Sequence, residues 1–225
     1  MTEFQGRTAI VTGAGKGLGY AYALWLAEQG VNVVVNARSG ADNIMRAIDE
    51  VDGKAILNTR NVESADGMKE LVDLAVSHFG DLHIVVPNAG VTSWAPLGKG
   101  TIEDWHREVD INLSGTFYLT HWAAAYWQQQ GPAPGRALVF ISSPAGTCPI
   151  PQIAAYNATK AAVQALMMTA AEDLAPLGVR ANAISPIART PMSMRNPELA
   201  ELVKETAGFD RNDPANVAPV LGYLI

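Results

Sequence analysis

The sequence predicts an α/β protein, a doubly wound parallel sheet with helices on both faces. Three observations predict it. Short apolar runs, RTAIVT at 7–12, VNVVVN at 31–36 and RALVFIS at 136–142, have the length and β-branched content of buried strands. Helical stretches of ten to twenty residues alternate with them, as parallel strands require, because each must be reached by a crossover. The first run leads directly into the glycine loop TGAGKGLG at 12–19 and then into a helix.

Taken in order, a helix follows that loop through AYALWLAEQG at 21–30, and another occupies 41–52 after the second strand. A short strand at 54–59 precedes a helix over 64–79, and DLHIVVPNAG holds a fourth strand near 82–86. A long helical stretch covers 101–130, with an interruption or bend expected near 112–114. GPAPG at 131–135 is a loop before the fifth strand, 136–142. A helix over 156–175 and a sixth strand, VRANAIS at 179–185, follow. Residues 186–213, rich in Pro, Arg, Asn and Met, lack a clean period and read as irregular. DPANVAPVLGYLI then starts a helix with Asp213 as its N-cap and Pro214 in the first turn. With no repeat, linker or low-complexity segment, 1–225 reads as one domain.

Composition narrows the function classes. A chain of 225 residues that is 48% hydrophobic and 17% charged can build a full core. A net charge of −6 argues against nucleic acid and anionic membranes as partners. The single cysteine, Cys148, excludes an internal disulfide and fits a reducing compartment. His78, His83, His106 and His121 lack metal-ligand spacing, so no metal is expected. The N-terminal MTEFQGRTAIVTG has no signal-peptide architecture and no apolar run is long enough to span a bilayer, so a cytoplasmic protein is expected.

Two stretches carry chemistry. The glycine loop sits between a strand and a helix, where backbone N–H groups and the positive helix end meet a nucleotide pyrophosphate. Nucleotide choice is read at the end of the second strand, where a carboxylate favours NAD(H) and a cation the 2′-phosphate of NADP(H). The chain offers Asn36, Ala37, Arg38 and Ser39 there, and Lys16 lies inside the loop. Two cations without a carboxylate predict NADP(H) over NAD(H). The second stretch is SSPAGTCPIPQIAAYNATK at 142–160, in which Tyr156 and Lys160 are four apart at the start of a helix and share a face. A cation roughly 5 Å from a phenol, at an effective dielectric of about 20, favours the phenolate by about 3 kcal/mol, or about two pKa units. Lys160 is therefore expected to bring Tyr156 into the range of general acid–base work.

The glycine loop, PNAG at 87–90, Asn112 in DINLSG, Ser143 and Tyr156-x-x-x-Lys160 together resemble the classical short-chain dehydrogenase/reductase family, in register across nearly the whole chain. The resemblance implies a Rossmann-type sheet and a reaction that interconverts a secondary alcohol and a ketone by hydride transfer. Tyr156 would be the general acid/base. Ser143, thirteen residues earlier, would bind the substrate oxygen, and Lys160 would hold the nicotinamide ribose. Asn112 would hold a water that relays protons. Implied cofactor contacts are Gly13, Gly15, Lys16, Gly17, Leu18, Gly19, Arg38, Asn61, Val62, Asn88, Ala89, Gly90, Tyr156, Lys160, Pro186, Ile187 and Thr190. Trp94, Cys148 and Met192, with Ser143 and Tyr156, are the expected substrate contacts. Relatives pair helices corresponding to 112–127 and 160–175, implying a homodimer or homotetramer.

Departures from the family pattern fall at Pro87, at Asn61 where an acid is usual, and at 185–190, which lacks the usual glycine after Pro186. The family also continues into a seventh strand, whereas this sequence stops at Ile225. The sheet is thus expected to lack its last edge strand, through truncation or another means of closing the edge. The segments SPIARTPM and FDRNDPANVAPVLGYL are similar to the hydroxyacyl-thioester dehydrogenase branch, so a 3-oxoacyl or 3-hydroxyacyl thioester is the alternative substrate. A silent nucleotide sensor is a further alternative, but the Ser–Tyr–Lys set is intact.

Overall fold

The computed structural model describes residues 3–225. Six parallel strands form one sheet in the order β3-β2-β1-β4-β5-β6: β1 (Thr8–Thr12), β2 (Asn32–Asn36), β3 (Ala55–Asn58), β4 (Ile84–Val86), β5 (Arg136–Ile141) and β6 (Val179–Ile184). The helices are α1 (Gly17–Glu28), α2 (Ala41–Asp49), α3 (Ala65–Phe79), α4 (Ile102–Glu108), α5 (Gly115–Gln130), α6 (Ala154–Leu174), α7 (Pro197–Leu202) and α8 (Ala218–Leu224). This is the doubly wound, Rossmann-type arrangement expected. Strands β3 and β6 are the sheet's edges among the described residues.

The two-residue period of a strand explains why the sheet is apolar on both faces. Ala9, Val11, Val33, Val35, Ile84, Val86, Val139 and Ile141 pack with α1, α2 and α8 through Tyr22, Leu26, Ile44, Ile48 and Leu221. The alternate residues Ile10, Val34, Val85, Leu138 and Phe140 pack with α3, α5 and α6 through Leu71, Leu119, Trp127 and Val163. Trp127 is fully buried and its indole N–H donates to the Leu82 carbonyl at 2.7 Å, so a large apolar body enters the core with its polar atom satisfied.

Three expectations are corrected in detail. The interruption expected near 112–114 is present as a widened turn, not as a break in the helix. One π-helical turn, Val109–Ser114, joins α4 to α5, and the backbone stays right-handed at Glu108 (φ −72°) and Gly115 (φ −63°). Such turns insert a residue without ending the helix. The irregular 186–213 stretch contains α7, whose start carries a cap signal: Asn196 Oδ1 accepts from the Leu199 N–H at 2.9 Å and Pro197 opens the first turn. Six residues are too few for a helical period to register in sequence. Asp213 caps a 3₁₀ turn, Pro214–Val217, and the α-helix begins only at Ala218.

Strand order reverses at β1, which lies between β2 and β4. In open α/β sheets ligands bind beyond the strand C-termini at this point.

Candidate active site

A cleft of about 520 Å³ opens there. At one end is the glycine loop. Gly13 and Gly17 have φ of +64° and +59°, a conformation that favours glycine. A Cβ on Gly15 would strike the Ser39 carbonyl, which is how the loop lies flat against the end of β2. Thr12 Oγ1 accepts from the backbone N–H groups of Asn88 and Ala89 at 3.0 and 3.1 Å, and Asn88 Nδ2 donates to the Thr12 carbonyl at 2.8 Å. These bonds lock the ends of β1 and β4 together under the cleft. The result is a smooth backbone cradle at the N-terminus of α1, and it fits a dinucleotide pyrophosphate.

Lys16, Ala37, Arg38, Ser39 and Arg60 line the same end, with no Asp or Glu among the lining residues. Arg38 Nη1 donates to Asn61 Oδ1 at 3.1 Å, so Asn61 reaches the site through Arg38 and does not itself line the cleft. Arg60, not anticipated from sequence, also pairs with Glu70 at 2.6 Å. Leu18, Val62, Ala89, Gly90, Pro186, Ile187 and Thr190 also line the cleft.

At the other end, Ser143, Tyr156 and Lys160 converge. β5 delivers Ser143 just past its C-terminal end. Its Oγ accepts from the Ala145 N–H at 3.2 Å and lies close enough to the Tyr156 hydroxyl to favour its ionised form. The neighbouring Ser142 has a different job: its Oγ donates to the Lys160 carbonyl at 3.1 Å and accepts from Gln164 at 3.0 Å, fixing α6 against β5. Lys160 is buried, with Nζ donating to the Ile141 carbonyl at 2.7 Å and lying 5.6 Å from the Tyr156 ring centroid.

The expected lowering of the phenol pKa by Lys160 is not what these surroundings produce. Burial, the largest influence, pushes Tyr156 up; the Ser143 hydrogen bond pulls it down and Glu108 adds an upward push. Burial also pulls the Lys160 ammonium down to about 8. Desolvation disfavours the charged form of both groups, and it outweighs the pairing that the i, i+4 spacing suggests.

Asn112 is fully buried and does not line the cleft. Both its amide N–H groups are engaged, with the Val91 carbonyl at 2.9 Å and Thr159 Oγ1 at 3.2 Å, and its Oδ1 accepts from the Val91 N–H at 2.8 Å. Its side chain thus ties the segment after β4 to α6 beside Lys160. Trp94 and Met192 line the cleft. Cys148 does not: it lies just past the turn 144–146 and is exposed. Ile153, Leu199, Leu202 and Val203 line the cleft too, from the loop after Ser143 and from the 186–213 stretch, whereas sequence reading missed the buried carboxylate Glu108. Glu108 stands four residues before Asn112, a spacing that could have flagged it, but a Glu on a helix ordinarily reads as solvated.

Among the described residues no group of His, Cys, Asp and Glu could hold a metal ion, and no helix is long and apolar enough to cross a membrane.

The short chain dehydrogenase profile matches residues 7–200. A cyclohexanol dehydrogenase of Acinetobacter sp. (strain SE19) is 36% identical over 99% of this chain and 89% of its own length. A hydroxyacyl-CoA dehydrogenase of Mycobacterium tuberculosis is 40% identical over 99% of this chain and 74% of its own. Among solved structures, a short-chain type dehydrogenase/reductase from Mycobacterium marinum superposes with a TM-score of 0.89 at 29% identity, covering 98% of this chain and 89% of that one. The chain therefore belongs to the classical short-chain dehydrogenase/reductase family, a family of NAD(P)-binding oxidoreductases.

Proposed function

We propose that the protein interconverts a secondary alcohol and a ketone with NADP(H), and that Tyr156 is the general acid/base. The observation that carries the reading is the convergence of Ser143, Tyr156 and Lys160 at one end of a cleft whose other end is a glycine cradle. A nicotinamide nucleotide held by the cradle supplies the hydride acceptor or donor. Ser143 and Tyr156, both in the cleft lining, present two oxygens to the substrate oxygen. In oxidation the phenolate takes the hydroxyl proton; in reduction the phenol returns it. Lys160, its ammonium fixed beside the Tyr156 ring, steadies the phenolate electrostatically while it lasts.

Preference for NADP(H) is supported by Lys16 and Arg38 in the lining, with Ala37 where a carboxylate would favour NAD(H). The substrate end is walled by Trp94, Ile150, Ile153, Met192, Leu199 and Val203, which suits an apolar alcohol. The likeness to a hydroxyacyl-CoA dehydrogenase supports a 3-hydroxyacyl thioester as the second reading. Exposed Phe117 on α5 and Met168 on α6 support assembly into a homodimer or homotetramer through these helices.

The test is a titration of NADPH against NADH, followed by turnover of cyclohexanol and 3-hydroxybutyryl-CoA. Tyr156→Phe should lower turnover by about 10²-fold or more while sparing NADPH affinity. Full activity in that variant, or tighter binding of NADH, would count against the corresponding half of the proposal.

A further inference from the structure

The side chains of Asp104, Glu108 and Asn112, spaced four apart, all reach the segment that follows β4. Asn112 holds both backbone groups of Val91, Glu108 Oε1 accepts from the Ser93 N–H at 2.6 Å, and Asp104 Oδ1 accepts from Ser93 Oγ at 3.0 Å. The segment so held carries Thr92 and Trp94 into the cleft wall. Of the three, Glu108 is the anomaly. It is 1% exposed, and its Oε2 is buried with no hydrogen-bond partner. A carboxylate kept half-unsatisfied in a core is costly, and apolar packing would serve α4 better if holding the wall were its only role.

We propose that Glu108 is a positioning residue of this site, holding the 91–94 wall through the Ser93 backbone and setting a buried negative charge within electrostatic reach of Tyr156. The inference rests on the reading of Tyr156 as the acid/base. The groups that act on Glu108 are Ser93 on the wall, Asp104 and Arg107 on α4, and through its own charge it acts on Tyr156 of α6. Burial raises the Glu108 carboxyl above its usual range, and the Ser93 hydrogen bonds draw it back. Once ionised it raises the proton affinity of the phenol. Glu108 thus opposes Ser143, whose hydrogen bond favours the phenolate, so the phenol remains a proton carrier to higher pH.

Glu108→Gln separates the two roles, because it keeps an acceptor for the Ser93 N–H and removes the charge. Glu108→Val removes both. With NADP⁺ and cyclohexanol, or 3-hydroxybutyryl-CoA, the acid limb of kcat/KM should move to lower pH by roughly half to one unit in Glu108→Gln, with KM near wild type. In Glu108→Val, KM should rise severalfold as well. A Glu108→Gln profile that overlays the wild type overturns the proposal. If the wild-type chain turns over neither alcohol, the acid/base reading fails first and this inference falls with it.

Thermal stability gives a readout independent of turnover. Glu108 has a higher pKa folded than unfolded, so the native chain holds the extra proton and stability falls as pH rises through that interval. The Tm of Glu108→Gln should therefore exceed that of wild type increasingly as pH rises above about 4.5, with the excess absent at lower pH. A Tm difference that ignores pH overturns the buried charge.

Discussion

Lys160 shows how a single residue is paid for by the rest of the fold. Its ammonium is buried with one backbone acceptor, and its pKa falls to about 8. A base whose folded pKa lies below its unfolded value destabilises the native state wherever it stays protonated. The cost is complete below pH 8 and disappears as pH rises towards 10.5, where the unfolded chain also loses the proton. Lys160→Met should therefore raise Tm by several degrees at pH 7, with the gain shrinking by pH 10, while activity is lost. A scan of Tm against pH for both proteins checks it, and a destabilised Lys160→Met at pH 7 would refute it. The same residue shows what sequence could and could not supply. The i, i+4 spacing from Tyr156 was legible; the desolvation that lifts the phenol was not, because burial is a property of elements far apart in the chain.

At the scale of elements, the segment between β6 and α8 is held at its base. Arg189 pairs with Asp210, and the Arg189 N–H donates to the Asn212 carbonyl at 2.7 Å. Asn216 Nδ2 further donates to the Asp210 carbonyl at 2.8 Å. The excursion between these anchors contributes Met192, Ser193, Leu199 and Val203 to the cleft. Charge-assisted pairing of this kind fixes a loop against its scaffold. Asp210→Ala should raise KM for both cofactor and alcohol severalfold and change kcat less, since the segment lines the cleft and Ser143, Tyr156 and Lys160 lie on other elements. Steady-state kinetics decide this; an equal loss in kcat with KM unchanged would contradict it. Sequence reading saw this stretch only as irregular, because α7 is one and a half turns long and the ion pair joins residues 21 apart. The π-helical turn is a similar case. The expected disturbance at 112–114 was in the right place, yet only the folded chain shows that it takes the form of a π-helical turn with Asn112 bonded to Val91 and Thr159.

At the scale of the molecule, two apolar layers stabilise one sheet. Trp127 anchors the layer beneath α3 and α5, and Trp127→Ala should cost about 3–5 kcal/mol, read as a fall in Tm of roughly 10 °C for a chain of this size. A loss under about 1 kcal/mol would show that the layer repacks. Assembly is tested on the outer surface of the same layer. Phe117 is 47% and Met168 59% exposed. The double variant Phe117→Glu, Met168→Glu should lower the mass seen by light scattering while leaving the circular dichroism spectrum unchanged. A monomeric wild type would end that reading.

The sequence by itself determined the strand and helix order, the glycine loop, and the identities of Ser143, Tyr156 and Lys160. These are local: each rests on a period, a spacing or a turn residue within one stretch of chain, or, for Ser143, on the family resemblance carried by such stretches. Only the tertiary structure decided that Asn61 is bonded to Arg38, that Cys148 is exposed, that Asn112 spends its amide on Val91, and that Glu108 is a buried carboxylate bonded to the Ser93 N–H. The physical reason is common to all four. Burial and hydrogen-bond partners come from segments brought together by folding, and the proton affinities of Tyr156 and Lys160 follow from that desolvation more than from the spacing between them.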